Sequence, residues 1–212
     1  MTFAAEQTRR AYNLAAQAYH DLFHNELAEK EYDRKLLDAF AARFPAGALI
    51  CDGGCGPSAH IGRYLLDKGL RVIGVDISDR CVEQVRAYDP GMPVVQGNIA
   101  RLGFRADSFD GVVSYYSIIH TPKDEIGGIF GEFRRILKPG GSLLVAVKAG
   151  SGEGYRRELL GIETEIYFSL FTEAGIEGYF KDAGFRLDFV EKRDPYGFEI
   201  ANERIFAVGR RP

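Results

Sequence analysis

The feature that most constrains this chain is a turn of small residues that follows a short apolar run. Residues 49–51 are apolar, residues 52–58 read Asp-Gly-Gly-Cys-Gly-Pro-Ser, and a helical pattern begins near Ala59. Small residues let a ligand approach the backbone closely, and N–H groups at a helix start can face its polar groups. Asp76 ends the next apolar run, 20 residues after Gly56, where a carboxylate can accept hydrogen bonds from ribose hydroxyls. The turn therefore predicts a site for a ligand that contains adenosine.

Two kinds of adenosine ligand fit this turn. The spacing of Gly54, Gly56 and Ala59 matches the dinucleotide fingerprint, which keeps open an NAD-binding Rossmann oxidoreductase. Asp52 argues against NAD, because a carboxylate at the mouth of the turn would repel a pyrophosphate and would suit a cationic amino acid. A dehydrogenase would also be expected to continue into a substrate domain, and the predicted elements leave no residues for one.

At Asp52, Gly54 and Gly56 the chain resembles the class I S-adenosylmethionine-dependent methyltransferases, whose first motif reads Asp-x-Gly-x-Gly-x-Gly. Ser58 replaces the last glycine. Four further segments resemble motifs of the family in the expected order, and they are residues 72–78, 96–99, 109–114 and 137–145. The resemblance implies a small-molecule methyltransferase similar to those of ubiquinone biosynthesis, with S-adenosyl-L-methionine as cofactor and S-adenosyl-L-homocysteine as product.

The resemblance also implies which residues hold the cofactor. Asp76 is the expected ribose ligand, Asn98 contacts adenine, and Asp52 anchors the amino-acid end. Ser114 and Tyr115 are expected to pass close to the cofactor at the end of the fourth strand. The complete predicted set is Tyr12, Tyr19, Asp52, Gly53, Gly54, Gly56, Asp76, Ile77, Asn98, Ile99, Ser114 and Tyr115.

Two tyrosines of this set belong to the N-terminal helical pattern. Tyr12 and Tyr19 are seven residues apart, which places them on one helical face. They resemble a family motif whose tyrosines close over the cofactor. A plain core stripe is the competing interpretation.

His120 is the candidate catalytic residue. It follows the fourth predicted strand, at the edge where ligands bind in open α/β sheets, and its position resembles a Leu-His-His segment of small-molecule methyltransferases. Neutral imidazole can accept a proton near pH 7, so His120 could act as a general base or could orient the acceptor. The alternative is that it packs or caps the next helix.

Alternating strand and helix patterns predict an α/β fold: a Rossmann-like, doubly wound, seven-stranded sheet with a C-terminal antiparallel strand, in a three-layer α/β/α arrangement. Strands are expected over 48–53, 71–76, 93–96, 109–115, 141–148, 185–193 and 203–210, and helices over 58–68, 79–88, 122–137 and 172–183. Residues 4–44 have a helical pattern with a break at Asn25. One domain, 1–212, is predicted to comprise a helical lid (1–47), a cofactor-binding core (48–148), a substrate-covering insert (149–171) and a last helix with a terminal strand pair (172–212).

The insert is predicted to begin as a flexible, glycine-rich loop and to help enclose the acceptor. Tyr155, Arg156, Arg157 and Phe168 are among its side chains. Aromatic rings with two arginines would suit a flat or partly anionic small molecule. Packing of the insert onto the domain is the alternative role for the aromatic residues.

Composition bounds the partners and the location. The net charge of −3 gives no basic field for nucleic acid, and no run approaches the ~18 apolar residues that span a bilayer. Three cysteines, an odd number, and the lack of a leader pattern favour a reducing, cytoplasmic setting. A second cysteine pair is lacking, so no metal site is expected. We expect a monomer or homodimer that acts on a small molecule.

These observations favour an enzyme that transfers a methyl group to an oxygen or nitrogen atom of a small-molecule acceptor. The rival from another class is a non-catalytic protein of the same fold that binds an adenosine ligand without turnover.

Overall fold

The computed structural model describes residues 1–212. The helices are α1 (Phe3–Phe23), α2 (Glu31–Ala41), α3 (His60–Asp67), α4 (Asp79–Tyr88), α5 (Lys123–Ile136) and α6 (Glu173–Asp182). The strands are β1 (Leu49–Gly53), β2 (Arg71–Asp76), β3 (Val94–Gln96), β4 (Phe109–Tyr115), β5 (Leu137–Lys148), β6 (Glu153–Leu159), β7 (Ile162–Ser169), β8 (Arg186–Arg193) and β9 (Arg204–Arg210). No helix combines the length and the apolar character needed to cross a membrane.

Seven strands form one sheet in the order β3-β2-β1-β4-β5-β9-β8. Strands β1 to β5 pair in parallel, and β9 runs antiparallel to both of its neighbours, β5 and β8. The predicted seven-stranded sheet with its antiparallel strand is thus confirmed. The order of the strands reverses between β1 and β4, and the crevice at such a reversal is where open α/β sheets bind ligands.

Helices cover both faces of the sheet. On one face α2, α3 and α4 bury Phe40, Leu65 and Val82 against the strands, and on the other α5 and α6 bury Phe133 and Phe180. Central strands that are buried on both faces read as continuous apolar runs, which explains why the sequence located β2 and β4 to the residue.

The insert contains a β-hairpin that the sequence did not predict. Residues 153–169 form it directly after the glycine-rich start of the insert, with β6 and β7 paired antiparallel up to Leu159 and Ile162. Leu160 and Gly161 both have positive φ, 54° and 77°, as the two central residues of a type I′ turn require. Such turns are usually Asn-Gly or Asp-Gly, so the Leu-Gly pair gave no turn signal.

The N-terminal segment lies over the carboxyl edge of the sheet. α1 packs against β7 and α4, a short 3-10 turn spans Glu26–Ala28, and α2 follows, so the break predicted at Asn25 is confirmed. Asn13 anchors α1, because its side chain donates to Asp79 at 2.8 Å and accepts from the hydroxyl of Ser78 at 2.6 Å.

A buried aspartate fastens α2 to two strands. Asp33 is fully buried and accepts one hydrogen bond from the hydroxyl of Tyr115 (2.6 Å) and one from the guanidinium of Arg193 (3.0 Å). Burial raises the pKa of Asp33, while the bonds to Tyr115 and Arg193 oppose that shift. The carboxylate therefore joins α2 to β4 and β8.

Asp33→Ala should lower the free energy of unfolding by about 3–5 kcal/mol, because it leaves a largely buried guanidinium and a buried hydroxyl without this partner. Glu31→Ala, on the exposed face of the same helix, is the matched control and should leave the free energy of unfolding nearly unchanged. Urea denaturation measures both. Equal losses in the two variants would contradict the anchoring role of Asp33.

Candidate functional site

A cavity of about 250 Å³ lies between the carboxyl ends of the central strands and the inner face of α1. The sequence-predicted site residues that line it are Tyr12, Tyr19, Asp52, Gly54, Gly56, Asp76, Ile77, Asn98, Ile99, Tyr115 and His120. Gly53 and Ser114 do not line it. The volume is slightly below the ~300–1,000 Å³ range of small-molecule sites, because α1 covers the cavity.

Contacts within the protein, as well as room for a ligand, explain why glycines occupy the turn after β1. Gly54 has a φ of 80°, and a Cβ built on it would lie 2.2 Å from the Cβ of Ser117, so no other residue fits there. Gly56 has a φ of 66°, and its Cβ would meet only Tyr19, at 3.8 Å. Glycine is thus required at Gly54 because the turn after β4 comes too close for a side chain. At Gly56 it is required because the backbone is left-handed.

Asp76 holds that turn in place from the end of β2. One carboxylate oxygen accepts from the N–H of Gly56 (2.8 Å) and the other from the N–H of Ser78 (2.9 Å). Each oxygen can accept a second hydrogen bond, so two acceptor positions remain for a ligand such as a ribose. Burial raises the pKa of Asp76 to about 6 although these backbone bonds favour the charged form.

Asp52 is a second buried carboxylate on the same cavity wall. One of its oxygens accepts from the N–H of Gly62 at 3.0 Å, inside the first turn of α3. Burial raises the pKa of Asp52 to about 7, while His60 and the bond from Gly62 oppose the shift. Because burial penalises an unpaired carboxylate, a cationic ligand group would stabilise the charged form of Asp52.

Asn98, Ile77 and Ile99 form the outer wall beyond Asp76. The side-chain oxygen of Asn98 accepts from the N–H of Ala100 at 2.8 Å, which leaves its NH₂ group free to donate to a ligand. The two isoleucines are partly buried and present apolar surface. A flat heterocycle with acceptor nitrogens would fit this wall.

His120 and Tyr12 form a hydrogen-bonded pair that also lines the cavity. His120 Nδ1 lies 2.9 Å from the backbone oxygen of Tyr167, which can only accept, so Nδ1 carries the proton. His120 Nε2 therefore accepts from the Tyr12 hydroxyl at 3.0 Å. Burial lowers the pKa of His120 to about 4, the bond to Tyr167 opposes this shift, and the charge of Lys148 adds to it. Burial likewise raises the pKa of Tyr12, so the pair is neutral around pH 7.

Gly53 and Ser114 lie just below the cavity and support it. A Cβ on Gly53 would lie 3.4 Å from Ile99, and the Ser114 hydroxyl bonds to that of Ser117 at 2.6 Å. Tyr115 borders the cavity, but its hydroxyl is turned away to Asp33. The role of these positions is to set the path of the backbone.

Several lining residues escaped the sequence reasoning. They include Thr8, His60, Arg101, Tyr116 and Ser117. Tyr116 has a φ of 56°, uncommon for a bulky residue, and this turns its ring into the site directly after β4. His60, at the start of α3, donates through Nε2 to Glu26 at 2.9 Å. Its position directly after the glycine turn was the one available signal.

The chain was compared with known proteins. Residues 51–145 match the family model described as a methyltransferase domain. The chain is 31% identical over 116 residues to a sterol 24-C-methyltransferase of Saccharomyces cerevisiae, with 50% of this chain and 29% of the relative covered. It is 33% identical over 135 residues to the malonyl-[acyl-carrier protein] O-methyltransferase of Enterobacter lignolyticus, with 63% of this chain and 50% of that protein covered. The chain thus spans half or less of the length of these two curated relatives.

A solved structure shares the fold over nearly the whole chain. It is the 1,6-didemethyltoxoflavin-N1-methyltransferase of Burkholderia thailandensis, crystallised with 1,6-didemethyltoxoflavin and S-adenosylhomocysteine. The TM-score is 0.73 at 17% identity, with 98% of this chain and 88% of that chain covered. The motifs, the strand order and these matches agree: residues 51–145 match a methyltransferase domain, and the chain has the fold of the class I S-adenosylmethionine-dependent methyltransferases.

Proposed function

We propose that this protein transfers a methyl group from S-adenosylmethionine to an oxygen or nitrogen atom of a small molecule. The observation that carries the proposal is the pairing of two buried carboxylates, Asp52 and Asp76, on one wall of the cavity with the glycine turn between them in sequence. The ligand has a cationic amino-acid end and a ribose, which are the two groups that these carboxylates would bind.

The rest of the wall is consistent with that ligand. Asp76 would accept from the ribose hydroxyls, Asp52 would face the ammonium, and the Asn98 amide with Ile77 and Ile99 would hold adenine. Tyr12 and Tyr19 of α1 would cover the cofactor from above, where their rings lie 5.7 Å apart. Gly53 and Ser114 enter this proposal only as supports of the turn and of β4.

When bound, S-adenosylmethionine supplies a methyl group that its positive sulfur activates. The chain has to align the acceptor with that group and to exclude water. The Tyr12–His120 pair lines the cavity and can orient a hydroxyl or an amine by hydrogen bonding. With its Nε2 already bonded and its pKa about 4, His120 is better suited to orienting the acceptor than to removing a proton from it.

Calorimetry tests the cofactor assignment. S-adenosylhomocysteine should bind with micromolar affinity, and NAD should bind far more weakly, because Asp52 would face a pyrophosphate with like charge. NAD binding that is tighter than that of S-adenosylhomocysteine would favour the oxidoreductase interpretation. Binding with no turnover across a broad panel of acceptors would favour the non-catalytic one.

Asp76→Ala should weaken S-adenosylhomocysteine binding by about tenfold to a hundredfold, since a hydrogen bond to a charged group is worth ~1.5–3 kcal/mol. The substitution also removes the acceptors of Gly56 and Ser78, so the melting temperature must be measured alongside. Asp67→Ala, at an exposed position, is the control and should bind normally. Unchanged affinity in a folded Asp76→Ala protein would remove Asp76 from the site.

His120→Ala should lower kcat/KM by about tenfold, well below the ~10²–10⁴-fold loss that follows removal of a general base. Because His120 gains a proton only near pH 4, its titration should leave the rate unchanged between pH 5 and pH 8. His24→Ala, at an exposed position, is the control. A loss of kcat of ~10²-fold or more, with unchanged affinity for S-adenosylhomocysteine, would instead identify His120 as the base.

A further inference from the structure

Charged side chains cluster inside the domain, next to the cavity. Their cations are Lys30, Lys148, Arg193 and Arg204, and their carboxylates are Glu26, Asp33 and Glu199. They come from the segment around the start of α2, the end of β5, and the chain between β8 and β9. Four positive charges thus face three carboxylates.

Every member of this cluster except Lys148 has an ionic partner. The pairs are Lys30 with Glu26 (2.6 Å) and Glu199 (2.8 Å), Arg193 with Asp33 (3.0 Å) and Glu199 (2.9 Å), and Arg204 with Glu199 (3.8 Å). Lys148 takes part in no ion pair and in no hydrogen bond of its ammonium group. The excess positive charge of the cluster therefore lies on Lys148.

Lys148 lies outside the set of residues that line the cavity, next to Phe168, which in turn contacts the lining residue His120. It is the last residue of β5, is partly buried, and stands opposite Arg204 in the strand register. Its Nζ is 5.1 Å from the centre of the Phe168 ring, and that ring is 5.8 Å from the ring of His120. The Phe168 ring thus contacts both the Lys148 ammonium and His120, the residue that we propose orients the acceptor.

The surroundings of Lys148 favour an added anion. Burial, together with the charges of Arg204 and Lys30, lowers the pKa of Lys148 to about 8 against the opposing effect of Glu199 and Glu26. An anion beside the ammonium would stabilise the charged form of Lys148 and raise its pKa again. Arg156 and Arg157, which the sequence suggested for an anionic acceptor, are exposed on β6, where water solvates their charge.

We propose that the methyl acceptor carries a carboxylate, that this group extends past His120 to Phe168, and that Lys148 is its counterion there. This proposal rests on the function proposed above and narrows its substrate class. A singly charged anion fits best, because the Arg204 guanidinium already donates to the backbone oxygens of Ile200 and Asn202 and leaves one ammonium available. A phosphate would need more donors than this site offers.

The test uses protein saturated with S-adenosylhomocysteine and two matched probe pairs, benzoate with benzamide and hexanoate with hexanamide. Calorimetry should show that at least one carboxylate binds the wild type about tenfold or more tightly than its carboxamide. Lys148→Met, which keeps an unbranched side chain of similar length, should abolish that preference. Lys148→Arg should retain it, and Lys35→Met, at an exposed lysine, should behave as wild type.

The outcomes separate the two proposals. Failure of S-adenosylhomocysteine to bind the wild type would overturn the proposed function itself. Normal S-adenosylhomocysteine binding with no preference for either carboxylate, or with an undiminished preference in Lys148→Met, would overturn the role of Lys148 and leave the function standing. The affinity of each variant for S-adenosylhomocysteine and its melting temperature show whether the fold has been kept.

Discussion

The hydrogen bond from the Gly56 N–H to Asp76 joins the two loops on which the site is built. The turn after β1 has left-handed glycines, and none of its own side chains hydrogen-bonds to β2. Asp76 supplies that support from the neighbouring strand, and the backbone N–H groups of Gly54 and Cys55 add bonds to the carbonyl of Val75. The same carboxylate keeps free acceptor positions toward the cavity. Support of the loop and recognition of a ligand are therefore performed by one side chain.

Around this centre the protein buries charge before any ligand is present. Burial raises the pKa of Asp52 and of Asp76 and lowers that of Lys148, so each group is destabilised in its charged form. Such groups cost folding energy and are common at functional sites. Asp52 and Asp76 lie on the wall proposed for the cofactor, and Lys148 lies beside Phe168, where we propose that the acceptor carboxylate binds. Negative charge without an ionic partner thus marks the proposed cofactor region, and positive charge marks the proposed acceptor region.

The sequence located the sheet well because its physical signals are local. Buried parallel strands are continuous apolar runs, and β2 and β4 were placed to the residue. The hairpin over 153–169 was missed since its turn is Leu-Gly, and its first strand, β6, is largely exposed and has no alternating apolar pattern. Asp52 and Asp76 could be placed from motif spacing. Lys148, in contrast, reads in sequence as an ordinary strand end, and only the pairing of its neighbours across distant segments shows that it is left without a partner.

The hairpin has a further consequence through the contact that fixes the tautomer of His120. The group that accepts from Nδ1 is the backbone oxygen of Tyr167, and not a side chain. Any residue at position 167 that keeps the strand pairing would present the same oxygen. The hairpin can therefore change its side chains during evolution, and with them the surface offered to different acceptors, while the proton of His120 stays on the same nitrogen.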